Sequence, residues 1–103
     1  MSGADKKKLL RQAYGDLYID VSRLVREADP IGLIAMGAPS DEYDPEVSTI
    51  LPRLRDATSA DDLQRIIHEE FVYWFSTEVA GPLEVYTVLS AKIWFSWQAT
   101  QLS

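Results

Sequence analysis

The stretch EADPIGLIAMGAPSDEYDP, residues 27–45, decides how the chain is divided, because neither a helical nor a strand-like period of apolar side chains runs through it. Pro30, Pro39 and Pro45 with Gly32 and Gly37 are the residue types that stop helices and set turns. Between Glu27 and Glu46 stand six acids (Glu27, Asp29, Asp41, Glu42, Asp44 and Glu46) and no Lys or Arg, a local charge of −6 that equals the net charge of the whole chain. The stretch therefore predicts a long structured acidic loop over residues 29–44, with a regular element on either side.

Upstream, Leu10, Ala13, Leu17, Val21, Leu24 and Ala28 recur at spacings of three and four while Lys7, Arg11, Asp20, Arg23 and Glu27 fall elsewhere, which predicts an amphipathic helix over residues 5–28. Gly15 inside it costs about 1 kcal/mol relative to alanine, so close packing of a neighbouring helix is expected there. Asp29-Pro30 ends the helix, since a residue before proline is pushed out of the α region.

Downstream, Asp44-Pro45-Glu46 reads as N-cap, first-turn proline and first-turn acid, opening a helix over residues 45–57 with Val47, Ile50, Leu51 and Leu54 on one face. Pro52 is expected to kink or break it. Thr58 or Ser59 caps a third helix over residues 60–79, with Asp61 or Asp62 completing a capping box and Leu63, Ile66, Ile67, Phe71, Trp74 and Phe75 as its buried stripe. Gly81-Pro82 separates it from a fourth helix over residues 82–100. That last helix carries Val85, Tyr86, Val88, Leu89, Ile93, Trp94, Phe95 and Trp97, which leave no wide polar face; central burial or a second contact surface is implied. The expected fold is all-α, a small four-helix bundle-like single domain over residues 1–103.

A chain of 103 residues can build one core, and a hydrophobic fraction of 47% with eleven aromatic residues is too apolar for disorder. Its acidic balance excludes ordinary nucleic-acid binding, because the only basic cluster is Lys6-Lys7-Lys8 near the N-terminus. With no cysteine there is no disulfide framework, thiolate zinc or cysteine nucleophile, and with no asparagine no N-glycosylation site. No uncharged apolar run approaches the ~20 residues that span a bilayer, so the expected setting is the cytoplasm, away from membranes.

Asp29-Pro30-Ile31-Gly32, Gly37-Ala38-Pro39 and Asp41-Glu42-Tyr43-Asp44-Pro45-Glu46, with Trp74-Phe75 and Ala80-Gly81 further on, resemble a family of small bacterial all-helical proteins of unknown function, over roughly residues 17–84. The specific part is the pairing of an Asp-Pro-Ile-Gly start with an Asp-Glu-Tyr-Asp end across the loop. The resemblance implies a multi-helical fold in a bacterial cytosol and carries over no catalytic residue.

Gly32 and Gly37 have the four-residue gap of a phosphate-binding loop, but Ala38-Pro39 stands where Lys followed by Ser or Thr is required and no strand precedes them. Asp29, Asp41, Glu42, Asp44 and Glu46 offer hard oxygen ligands for Ca²⁺ or Mg²⁺, though not at EF-hand spacing. The same acids have structural uses: Asp44 as a cap, Glu46 against the helix dipole, Asp29 in a cap or ion pair. His68, the one histidine, sits beside Glu69 and Glu70 without a second histidine for a zinc helix, and no serine lies in a nucleophile elbow. No cofactor motif is present.

Trp94 and Trp97 lie three positions apart with Phe95 about 100° away, so at least one of the three is expected to be exposed in a monomer. Taken together, the residues predict a non-enzymatic protein-binding module, immunity-like or regulatory. Asp41, Glu42, Tyr43 and Asp44 would meet a partner with a basic surface, and Trp94 and Trp97 a second partner surface or a homodimer. A cation- or metabolite-binding domain using Asp29, Asp41, Glu42 and Asp44 is the alternative.

Overall fold

The computed structural model describes residues 3–39 and 42–101, with side chains from residue 7 onward. Among these there is no strand. Six α-helices occur in the order α1 (Gly3–Tyr14), α2 (Asp16–Ala28), α3 (Asp44–Ile50), α4 (Ala60–Trp74), α5 (Thr77–Ala80) and α6 (Thr87–Gln101), with 3₁₀ turns at Leu51–Asp56 and Leu83–Tyr86. The all-helical class is as expected, but each of the four expected helices is interrupted once.

The break at Gly15 is a correction. Its backbone sits at φ 59°, ψ −131°, and an added Cβ would meet nothing within 4 Å, so no helix packs closely there. Glycine serves instead because it alone enters that region freely. The bend re-phases the stripe: Leu17, Tyr18, Val21, Leu24 and Val25 are buried on α2, whereas the expected Ala13 and Ala28 are exposed.

Pro52 acts as expected, the chain passing from α-helix to 3₁₀ turn at Leu51. The start of α3 differs, since Tyr43 occupies the N-cap position and Asp44 is the first helical residue. At α4 Ser59 is the cap, its Oγ accepting the Asp62 N–H at 3.0 Å while Asp62 Oδ2 accepts the Thr58 N–H at 3.0 Å. Leu63, Ile66, Ile67 and Phe71 are buried as the stripe predicts, but Trp74 is exposed and donates its indole N–H to Thr49 Oγ1. The third helix stops early because Ser76, at φ 138°, offers its own hydroxyl to the Val79 N–H and starts α5.

Helix α6 packs against both α2 and α4, and α3 packs on α4 and α2. One core results, centred on Phe71, Tyr86, Ile93, Ile50 and Leu63. Its Cα radius of gyration of 13.0 Å is what a compact chain of this length should have.

Candidate functional site

The segment after α2 is closed by two side chains. Asp29 takes a left-handed conformation (φ 45°, ψ 58°) at the C-cap of α2, its N–H bonded to the Val25 carbonyl. Its Oδ1 accepts the Tyr43 hydroxyl at 2.6 Å and the Ile34 N–H at 3.0 Å, and Oδ2 accepts the Ala35 N–H at 2.9 Å. Tyr43 Oη in turn accepts the N–H groups of Ile31 and Leu33 at 3.2 and 3.4 Å. Four loop amides and a phenol thus converge on one clasp, which satisfies backbone donors that no helix or sheet serves.

The clasp sets the charge states of both residues. Burial works against the Asp29 carboxylate, but the Tyr43 hydroxyl and the loop amides outweigh it and hold the group below the usual carboxylate range. Burial, reinforced by the bond to Asp29, pushes the Tyr43 phenol up to about 12. Burial alone takes Tyr86, which donates to the Ala80 carbonyl at 2.7 Å, to about 12 as well.

Both folded values lie above the ordinary 10.0, so the native state holds these protons more tightly than the unfolded chain does. The stability they contribute is intact below pH ~10 and drains away as the pH rises from there towards the folded values. We therefore expect at least two of the five tyrosines, Tyr43 and Tyr86, to ionise only as the protein unfolds, and Tyr43→Phe to remove one from that set. Tyrosinate absorbance followed against pH, beside circular dichroism, measures this; both tyrosines titrating freely in folded protein would contradict it.

The clasp changes the role of the expected docking residues. Tyr43 is 2% exposed with its ring 6.0 Å from that of Phe71, so its surface is spent on the core rather than offered to a partner. Asp44 points its carboxylate towards Lys7 Nζ at 3.8 Å and the Tyr18 hydroxyl at 3.5 Å. Glu46 is buried at 4%. Glu42 is exposed, and Asp41 lies outside the described residues. For the cation alternative, both Asp29 carboxylate oxygens are already accepting hydrogen bonds. Among the described residues there is no group of three or more His, Asp or Glu placed to hold a metal ion.

His68 Nε2 lies 2.9 Å from the Gly81 carbonyl oxygen. That oxygen can only accept, so Nε2 carries the proton and the ring ties α4 to the turn before α6.

The second region is α6. It buries Leu89, Ser90 and Ile93, with Trp94 and Trp97 half-buried against the core, so the two tryptophans are mainly packing residues. The exposed aromatic is Phe95, at 76%, with Val88 at 65% and Val85 at 47% on the same outward side. Between this side and α2 runs a groove of about 590 Å³ lined by Leu24, Val88, Ala91 and Phe95, with Arg23 and Lys92 contributing the charge. The sequence signalled that one aromatic must be exposed; which one depended on how α6 is rotated against α2 and α4. No family model, curated protein or solved structure matches the chain.

Proposed function

We propose that the chain is a non-catalytic protein-binding module, regulatory or immunity-like and cytoplasmic, which receives an amphipathic helix of another protein in the groove between α2 and α6. The observation that carries this reading is the exposure of Val88 and Phe95 beside an apolar groove, on a helix whose opposite side already fills the core. Contiguous exposed apolar surface of this kind raises the free energy of the isolated chain and is relieved by a partner. From Val85 to Phe95 the strip is eleven residues long, about 15 Å along the 3₁₀ turn and the start of α6, which suits a partner helix presenting anchors at i, i+3/i+4 and i+7 over about three turns.

The test is a photoreactive residue placed at position 88 or at position 42 in the cells from which the chain comes, with the crosslinked peptide mapped. An adduct from position 88 to an amphipathic helical segment, lost in Phe95→Asp, supports the groove. An adduct from position 42 alone would return the contact to the acidic segment. Adducts of the chain only to itself would make the occupant a second copy, and none from either position would overturn the reading.

A further inference from the structure

We infer that the helix received by the groove is an acidic one, and that its acidic flank lies in a cationic hollow where α1 meets α2. This rests on the groove reading above and specifies the chemistry of the partner.

The chain carries a net charge of −6, yet its cations are not spread evenly. Lys7, Lys8, Arg11, Arg23 and Arg26, five of its ten Lys and Arg residues, line two adjoining hollows of about 280 and 300 Å³ that share Lys7, Arg11 and Tyr18. Two arginines elsewhere are satisfied internally: Arg53 bonds Glu69 and Glu70, and Arg65 bonds Asp62 and Glu69, all within 3.0 Å. By contrast, among the described residues no carboxylate lies within ion-pair distance of Lys8, Arg11 or Arg26. Arg23 pairs with Glu27 at 3.3 Å across an exposed helix turn, a weak contact that a partner's carboxylate can displace. Among the described residues, Asp44 is the one acid lining either hollow.

The hollow and the groove are one surface. Arg23 lines both, and Ile19, 43% exposed, continues the apolar strip into the hollow. Lys92 supplies a cation in the groove itself. A helix with apolar anchors and glutamates or aspartates beside them would match the groove with the first and the cations with the second. Repulsion from the chain's remaining acids is screened beyond about 8 Å at physiological salt, so the local cations govern the contact. Nucleic acid would satisfy the cations but leave the apolar groove empty.

The probe is a displayed library of helical peptides with fixed apolar anchors and randomised flanking positions, selected on the intact chain and counter-selected on Val88→Asp/Phe95→Asp. Groove-dependent binders are expected to be enriched in Asp and Glu, and to bind the charge-reversed Arg23→Glu/Arg26→Glu chain at least roughly tenfold more weakly, with that difference shrinking as salt is added. Circular dichroism and thermal midpoint keep the variants comparable. Groove-dependent binders without acidic enrichment, or indifferent to the charge reversal, would overturn the inference and leave the groove reading intact. No groove-dependent binder at all would overturn both. Binding to phosphatidylserine vesicles that Phe95→Asp does not impair would assign the cations to a lipid surface and overturn the inference as well.

Discussion

Replacing Tyr43 with alanine is expected to cost roughly 3–5 kcal/mol, a large part of the ~5–15 kcal/mol that holds a domain of this kind together. Two losses combine. The ring is 2% exposed and packs against Phe71, so its removal leaves a cavity beside the centre of the core. The hydroxyl donates to Asp29 and accepts from Ile31 and Leu33, so its removal also leaves two amides unpaired and takes one of the two bonds at Asp29 Oδ1. Tyr43→Phe separates the two: it keeps the ring and should cost about 1–3 kcal/mol, the usual range for leaving buried polar partners unpaired. For a domain of this size each kcal/mol lowers the thermal midpoint by about 4–8 °C, so urea and thermal melts resolve both variants. Asp29→Ala should behave like Tyr43→Phe or worse, and the pair should be non-additive because they share one network. A Tyr43→Phe midpoint equal to wild type would mean that ring packing alone holds the segment.

How much of this was legible varies from residue to residue. That residues 29–44 form an aperiodic stretch between two regular elements could be seen, because its prolines and glycines are local facts; that Asp29 and Tyr43 bond across it could not. What could not be seen was that Tyr43 faces inward: an aromatic among acids looks like a recognition residue until the fold shows that one hydroxyl can close a loop. Pro52 broke its helix as expected because the missing N–H is a local fact. Gly15 and Ser76 acted through backbone conformations, φ 59° and 138°, that composition does not display. The cationic hollow was invisible for another reason: Lys7 and Arg11 lie before the bend at Gly15 and Arg23 and Arg26 after it, and only the bend brings them around Tyr18. Charge counted along the chain gave an acidic protein; charge placed in space gave a basic face on it.

Phe95→Ala is expected to weaken groove-dependent helical ligands by at least roughly 30-fold, about 2 kcal/mol, because a large exposed aromatic lining an apolar groove is the usual kind of binding hot spot. Val88→Ala should cost less, on the order of fivefold, and Glu42→Ala close to nothing. Both groove residues project into solvent, at 65% and 76% exposure, so neither change should move the unfolding free energy by more than about 0.5 kcal/mol. That dissociation of binding from stability distinguishes a contact surface from a packing residue. Trp97→Ala supplies the opposite pattern, since its half-buried ring supports the core and its loss should lower stability whatever it does to binding. The loss in Phe95→Ala should appear chiefly as faster dissociation, whereas neutralising Arg23 or Arg26 should slow association and flatten its salt dependence, because apolar anchors retain a bound helix and charges steer an approaching one. If Glu42→Ala weakened binding while Phe95→Ala did not, the contact would belong to the acidic segment and the exposed face of α6 would need another occupant.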